Sequence, residues 1–206
     1  MSEGLRVGVL VSGTGTNLQA ILDGVHGRDG VEVVGVASSR DDAPALARAQ
    51  AAGVETAVFE AERGGDRGER DAAVADWLEA RGVGLVVLAG WMHLLGAQFL
   101  SRFSDRVINV HPALLPAFPG LDAVEQALLY GVKVFGVTVH FVDEGVDSGP
   151  VILQAAVEVP DATGAGSVME RLRPLEHRLL PEAIRLFARG ALRRDPANPR
   201  RVLVDG

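Results

Sequence analysis

The chain has 206 residues, of which 48% are hydrophobic and 23% are charged, as expected for a globular protein with a substantial core. Its formal net charge of −7 argues against binding to nucleic acid or to an anionic membrane, because both favour a basic surface. It has no cysteine, which excludes disulfides, a thiolate nucleophile and zinc–sulfur sites, and it has no apolar run of the ~20 residues that a membrane span needs, so we expect a cytoplasmic protein.

Short apolar, β-branched runs alternate along the chain with segments of helical periodicity. Strands are predicted at 5–11, 31–37, 54–59, 83–90, 106–111, 134–142 and 150–159. Helices are predicted from residue 17 onward and at 43–53, 71–82, 96–104, 122–131 and 166–190, the last interrupted at Pro174 and Pro181. Residues 60–71 are charged and contain glycine, which indicates a solvated loop, and residues 195–206 indicate a weak strand or a loose tail.

Repeated alternation of strand and helix indicates βαβ units. We therefore predict an α/β, Rossmann-like fold: an open, twisted, mostly parallel sheet of about seven strands, with helices on both faces and the last strands partly antiparallel. Because no linker is evident, we expect a single domain over 1–206, with a core at about 5–190 and a C-terminal tail at 191–206.

The turn between the first strand and the first helix is "SGTGTN", residues 12–17. Glycines allow close backbone approach and a helix N-terminus attracts anions, so this turn suits a phosphate, and Thr16 or Asn17 can cap the helix. The dinucleotide pattern is incomplete because Leu18 stands where a third glycine is expected. Residues 38–40, "SSR", keep NADP binding open as one alternative. A tight turn without any ligand is the other alternative.

The fifth predicted strand ends in "INVHPALLPAFPG". Asn109 and His111 are two residues apart, so they point to the same face, at the carboxyl end where open α/β sheets bind ligands. Pro112 ends the strand because it has no N–H to donate. An amide and an imidazole can stabilise an oxygen that gains negative charge, and the imidazole can move a proton. One histidine with scattered carboxylates does not form a metal-ligand set.

A second polar segment, "VDEGVDSGP", follows the sixth predicted strand. Its Asp147 lies in a glycine-bounded loop, and a carboxylate beside an imidazole stabilises the protonated ring and orients it. Only the fold can bring Asp147 to His111, and each residue alone is equally compatible with a capped turn or a solvated rim.

Four stretches together resemble one family: "SGTGTNLQAIL", "LAGWMHLL", "INVHPALLPAFPG" and "GVTVHFVDEGVDSGPVILQ". They are similar to the glycinamide ribonucleotide (GAR) formyltransferases of the folate-dependent formyltransferase superfamily, and the resemblance runs from about Leu5 to Ala188. It implies transfer of the formyl group of 10-formyltetrahydrofolate to the amine of GAR in purine biosynthesis, without a metal. It further implies that Asn109 and protonated His111 stabilise a tetrahedral oxyanion, with Asp147 keeping His111 protonated.

The resemblance also implies the residues that contact the two substrates. For GAR they are Gly15, Thr16, Asn17, Arg173, Pro174, Leu175 and Glu176. For folate they are Arg67, Met92, His93, Leu94, Leu95, Asn109, Asp143, Glu144, Gly145, Val146 and Asp147. Arg70 is the alternative to Arg67 in the loop that is mobile in the family, and His140 has either a supporting role or a role in the core.

The chain departs from the family pattern at three places. His93 replaces a frequent arginine, Ala117 and Phe118 replace a frequent Lys–Tyr pair, and Asp122 lies in a segment that lacks a frequent histidine. Methionyl-tRNA formyltransferase and formyltetrahydrofolate hydrolase share the Asn–His–Asp set, but they carry additional domains that this chain leaves no room for. An NADP-dependent oxidoreductase and a non-catalytic ligand-binding module are the alternatives from other classes. We expect small-molecule partners, no nucleic acid or membrane, and a monomer or homodimer.

Overall fold

The computed structural model describes residues 4–60 and 67–205, which form two compact units that divide between Ile108 and Asn109. Over these residues, no helix is both long enough and apolar enough to cross a bilayer. The fold prediction is confirmed: the strands are mostly parallel, helices cover both faces, and the last strands include antiparallel pairs.

The first unit is built from strand–helix repeats. Its elements are β1 (Leu5–Val11), α1 (Thr16–Gly24), β2 (Val31–Ser38), α2 (Pro44–Ala51), β3 (Thr56–Val58), α3 (Arg67–Glu79), β4 (Leu85–Leu88) and α4 (Ala97–Arg102). Strand β1 pairs in parallel with both β2 and β4, and β2 pairs in parallel with β3. All four residues of β4 are buried, as expected for a central strand covered on both faces.

Two strand glycines allow α3 to pack closely on this unit. A Cβ on Gly8 would lie 2.5 Å from Leu78, and a Cβ on Gly35 would lie 2.5 Å from the Trp77 ring. Both glycines are paired to each other across β1 and β2. They therefore form a flat patch against which the large side chains of α3 are buried.

The second unit contains β5 (Val107–His111), whose first two residues belong to the first unit. Its other elements are α5 (Ala123–Tyr130), β6 (Val134–Phe141), β7 (Val151–Glu158), α6 (Ala165–Ala188), β8 (Leu192–Asp195) and β9 (Asn198–Val204). The strand order is β3-β2-β1-β4-β5 in the first unit and β5-β6-β7-β9-β8 in the second. The described residues thus contribute nine strands rather than the expected seven.

The two extra strands come from the C-terminal segment. Strands β8 and β9 form an antiparallel hairpin, and β9 joins β7 in parallel through Val151 and Arg201. The charged sequence of the hairpin hid its strand character, because its residues are mostly exposed and lack alternating apolar positions. Of the two alternatives expected for residues 195–206, a weak strand or a loose tail, the structure shows a strand over Asn198–Val204.

Helix α6 is continuous, so the predicted interruptions at Pro174 and Pro181 were wrong. Each proline removes one backbone hydrogen bond from the helix interior. Burial of the apolar face of α6, which packs on β6 and β7, outweighs that loss.

Two further local predictions need correction. Helix α3 begins at Arg67, so residues 67–71 are helical rather than part of a loop; residues 61–66 of the expected loop lie outside the described residues. Helix α1 begins at Thr16, and its N-cap is Gly15 in the left-handed region (φ 74°) without a side-chain cap. Thr16 and Asn17 are therefore inside the helix and do not cap it.

Candidate functional site

The carboxyl end of β5 carries the polar pair that the sequence singled out. His111 is buried, Asn109 is half-buried, and Val110 between them is buried as well. After His111 the chain turns away through Pro112 and a loop that runs to α5. The site is thus formed at the point where the strand can no longer pair.

Asp147 lies beside this pair and is the common acceptor of the cluster. Its Oδ2 is 3.3 Å from His111 Nδ1 and accepts the Gly120 N–H at 2.8 Å. Its Oδ1 accepts an N–H of Asn109 at 3.2 Å and lies 3.5 Å from His140 Nε2. The structure therefore brings together the three residues that sequence analysis assigned to catalysis.

The backbone at Asp147 has an uncommon conformation. Its φ of 47° is in the left-handed region, which few residues other than glycine, asparagine and aspartate adopt readily. Phe118 and Asp122, which flank the facing loop, also have positive φ values of 55° and 54°. Such strain persists only where the surrounding structure enforces it, and it concentrates at functional sites.

Both ring nitrogens of His111 face acceptors. Nε2 lies 2.8 Å from the Phe118 carbonyl oxygen, and Nδ1 faces the Asp147 carboxylate. A carbonyl can only accept, so Nε2 carries a proton, and an ionised Asp147 accepts a hydrogen bond from a second proton on Nδ1. The geometry therefore suits the doubly protonated imidazolium form of His111.

His140 on β6 completes the cluster: it is buried, and both of its ring nitrogens face polar groups. Its Nδ1 lies 2.8 Å from the Phe141 carbonyl oxygen, and its Nε2 lies 3.3 Å from the Asn109 amide nitrogen. With Nδ1 protonated, Nε2 accepts from Asn109. The two amide hydrogens of Asn109 are then directed to His140 and Asp147.

The environment of Asp147 favours its ionised form. Burial alone would raise the pKa of Asp147, but the neighbouring His140, the Gly120 N–H and His111 outweigh burial and lower it. Because the side chain of Asp147 is only 14% exposed, water screens these interactions weakly. The site thus holds one carboxylate between two imidazoles and one amide.

A buried network fixes the loop that faces the cluster. The Thr138 hydroxyl donates to the Ala113 carbonyl at 2.6 Å and accepts the Leu115 N–H at 3.1 Å. The Gln154 amide donates to the Leu115 carbonyl and to Thr138 Oγ1, both at 2.9 Å. These bonds tie the start of the loop to β6 and β7, upstream of the Phe118 carbonyl and the Gly120 N–H.

The loop that carries Asp147 is braced separately. Asp143 Oδ1 accepts from the Gly145 N–H at 3.1 Å and from the Ser148 hydroxyl at 2.5 Å. Arg200 of β9 donates to the Ser148 carbonyl at 2.6 Å. Glu144, Gly145 and Val146 form the exposed tip of this loop.

The glycine-rich turn lies in the first unit, between β1 and α1. Arg48 donates to the Thr14 carbonyl at 2.9 Å, and the Ala45 N–H donates to Gly13 at 3.2 Å. A Cβ on Gly15 would lie 2.7 Å from the Ala45 Cβ, so packing on α2 already requires a glycine there. Gly13 and Thr14 are exposed, and Thr16 and Asn17 are half-buried.

Residues 38–40, which suggested NADP binding, already form hydrogen bonds with other groups of the protein. Ser38 and Ser39 are buried, and their hydroxyls donate to the Arg40 carbonyl and to Ser12 Oγ, both at 2.7 Å. Arg40 is paired through two nitrogens with Asp42. A 2′-phosphate would have to displace these bonds, so the geometry argues against the NADP alternative.

The segment after β4 presents side chains to solvent. Met92 and Leu94 are 63% and 55% exposed, whereas His93 and Leu95 are half-buried. Burial and the charge of Arg70 lower the pKa of His93, so a neutral imidazole stands where relatives often have arginine. Of the two candidate arginines, Arg70 is buried in an ion pair, and Arg67, the first residue of α3, is exposed.

The predicted GAR-binding residues of α6 differ in exposure. Arg173 and Pro174 are exposed, Leu175 is half-buried and Glu176 is buried. Burial and the charge of Arg173 lower the pKa of the adjacent His177. A buried carboxylate needs a cationic or N–H-bearing partner.

Sequence analysis missed three contributors to this site: the Phe118 carbonyl, the Gly120 N–H and Arg200. The first two are backbone groups, which no side-chain pattern reveals, although the prolines and glycine of residues 116–120 marked a stiff loop. Arg200 lies in the C-terminal segment, for which a weak strand or a loose tail was expected. Among residues 4–60 and 67–205, no three histidine, aspartate or glutamate side chains are grouped so that they could hold a metal ion.

Comparison with known proteins identifies the family of this chain. The family model described as formyl transferase matches residues 5–184, across both units, so the chain belongs to the formyl transferase family. Within it, the chain is similar to the phosphoribosylglycinamide formyltransferases. It is 45% identical over 186 residues to that of Mycobacterium tuberculosis, covering 89% of this chain and 85% of the relative.

Two other relatives support the same placement. The chain is 39% identical over 189 residues to the phosphoribosylglycinamide formyltransferase of Haemophilus influenzae, covering 91% of this chain and 89% of the relative. The crystal structure of glycinamide ribonucleotide transformylase 1 from Symbiobacterium toebii superposes with a TM-score of 0.94 at 50% identity, covering 100% of this chain and 96% of that chain.

Proposed function

We propose that this protein transfers the formyl group of 10-formyltetrahydrofolate to the amine of GAR, giving formyl-GAR and tetrahydrofolate in purine biosynthesis. One observation carries the proposal: the Asp147 carboxylate contacts both the His111 imidazole and the Asn109 amide, which are the two groups of the expected oxyanion site. Family membership and the named relatives support the substrates.

In the proposed reaction, the GAR amine attacks the formyl carbon, and the electrons of the carbonyl double bond move to oxygen. The Nε2–H of His111 and one N–H of Asn109 stabilise the resulting oxyanion. Asp147 takes the proton that the amine loses, and protonated His111 gives a proton to the departing folate nitrogen as the bond of that nitrogen to the formyl carbon breaks and the carbonyl re-forms. Asp147 then returns its proton to His111. Protons and electrons therefore balance without a metal.

The donors must be released for this step. In the structure, His111 Nε2 is bonded to the Phe118 carbonyl, and the Asn109 amide is directed to Asp147 and His140. We infer that substrate binding exchanges the Phe118 bond for a bond to the formyl oxygen. The part of the loop beyond Leu115, up to Asp122, is then the element that moves, because its start is anchored.

The substrate contacts are proposed on the family resemblance. GAR is bound by Gly15, Thr16, Asn17, Arg173, Pro174, Leu175 and Glu176. Folate is bound by Arg67, Met92, His93, Leu94, Leu95, Asn109 and residues 143–147. We further propose a single formyltransferase domain that acts in the cytoplasm as a monomer or homodimer; cell fractionation and analytical ultracentrifugation test the last two parts.

The direct test follows folate absorbance with purified protein, 10-formyltetrahydrofolate and GAR. Turnover should require GAR, and His111→Ala should lower kcat by about 10²–10⁴, the range for a lost proton carrier. His26→Asn is the matched control, because His26 lies in the first unit and Asn keeps an acceptor for the Val33 N–H. Folate turnover that ignores GAR would contradict the proposal and indicate a hydrolase.

A further inference from the structure

Helix α3 buries a charge where its pattern calls for an apolar residue. Its buried residues are Asp71, Val74, Ala75 and Leu78, at the i, i+3, i+4 and i+7 spacing of an apolar face. The Asp71 side chain is 4% exposed, and that of its partner Arg70 is 8% exposed. A buried ion pair is a poor source of stability, since hydrophobic residues of similar volume do as well or better. A break in pattern of this kind points to a function.

Asp71 uses its two oxygens for different purposes. Oδ1 accepts from Arg70 at 2.8 and 3.2 Å, and Oδ2 accepts the backbone N–H of Gly96 at 2.8 Å. Arg70 in turn lies over the Trp91 ring, with 5.6 Å between Cζ and the ring centroid. The pair therefore contacts both ends of residues 91–96, the segment that follows β4.

A second bond fixes the same segment near its start. The Met92 N–H donates to Ser12 Oγ at 3.0 Å, and Ser12 also accepts from Ser39. Between these two anchors, the side chains of Met92 and Leu94 project into solvent. Exposed apolar side chains on a firmly anchored backbone form a preformed surface for the face of a flat ring, because little ordering is left to be done on binding.

We propose that Asp71 is a positioning residue for the folate co-substrate: by holding Gly96 it fixes residues 91–96, so that Met92 and Leu94 contact the pterin ring. This inference rests on the proposed function, which assigns those side chains to folate. Asp71 does not touch the substrate itself. Its loss therefore weakens folate binding while leaving GAR binding unchanged.

Two double variants separate the Gly96 bond from the ion pair. Arg70→Met/Asp71→Asn removes both charges but keeps an amide oxygen that can accept the Gly96 N–H. Arg70→Met/Asp71→Leu removes the charges and the acceptor at nearly the same volume. The Leu variant should raise the KM for 10-formyltetrahydrofolate at least tenfold above that of the Asn variant. The KM for GAR should agree within twofold and kcat within threefold.

Equal folate KM values in the two variants, or parallel changes in both KM values and kcat, would overturn the inference. Calorimetric titration with tetrahydrofolate alone measures folate binding without turnover. If the protein binds folate but does not formylate GAR, that result refutes the proposed function and leaves the inference about Asp71 standing. If the Leu variant does not fold, hydrogen exchange in the wild-type protein decides. The ligand-free Gly96 amide should exchange at least about a hundredfold more slowly than in an unstructured peptide, and unprotected exchange refutes the anchoring.

Discussion

Replacing Asp147 by asparagine is the sharpest perturbation of the candidate site. Asparagine has nearly the same shape and also tolerates the left-handed backbone that Asp147 adopts, so the fold should survive. The amide offers one acceptor and one donor in place of two acceptors. It can therefore satisfy only one side of the cluster, either the Gly120 N–H and His111 or the Asn109 amide.

The magnitude follows from those contacts. Loss of one oxyanion-stabilising donor costs about 2.7–4 kcal/mol in the transition state, and Asp147 orients two of them, His111 and Asn109. Their effects are not additive, so we expect a total of about 4–5.5 kcal/mol, which is a fall in kcat of about 10³–10⁴. The KM for GAR should change less than threefold, because Asp147 is not among the residues proposed to bind GAR.

The assay is the GAR-dependent change in folate absorbance, with thermal unfolding measured on the same preparations. Asp147→Ala is the companion variant: it should lose similar activity but also about 1 kcal/mol of stability, because alanine is strained at positive φ. If Asp147→Asn kept activity within tenfold of the wild type, the carboxylate would not be the group that organises the site, and the proposed mechanism would be refuted.

Three further predictions concern the surroundings of Asp147. Because its pKa is lowered in the folded state, stability should fall as the pH drops below about 4, and Asp147→Asn should reduce that dependence by up to about 1.4 kcal/mol per pH unit in acid titrations of unfolding. His140→Leu should lower kcat about 10- to 100-fold with little effect on either KM, since it removes the acceptor that orients the catalytic amide; unchanged kcat would assign His140 to packing alone. Arg200→Ala should lower kcat about two- to fivefold through its lost bond to Ser148, whereas Arg201→Ala should not, and equal effects would mean that the hairpin merely adds stability.

The central part of the fold could be predicted because its signals are local. β4 is continuously apolar and β1 is apolar apart from Arg6 and Gly8, which is typical of buried parallel strands, and Asn109 and His111 share a face by simple strand geometry. The long-range contact of His111 with Asp147 came from family resemblance, since no periodicity relates residues on different segments.

The errors have physical causes as well. Helix α6 tolerates two internal prolines because tertiary packing of its apolar face exceeds local propensity. Strand β8 was not predicted, and β9 was expected only as a weak strand or a loose tail, because exposed, charged edge strands carry little hydrophobic signal. Backbone groups such as the Phe118 carbonyl belong to the site through loop conformation, which the amino-acid pattern does not encode directly.

The contact of Arg200 with Ser148 bears on how shortened versions of this protein should be designed. The match to the family model stops at residue 184, yet the arginine that steadies the Asp147 loop comes later in the chain. A fragment cut where the match to the family model ends would keep Asn109, His111 and Asp147 and still lose the Arg200 contact that supports the Asp147 loop. Tags and fusion partners that pull on the final strand should disturb turnover before they disturb folding.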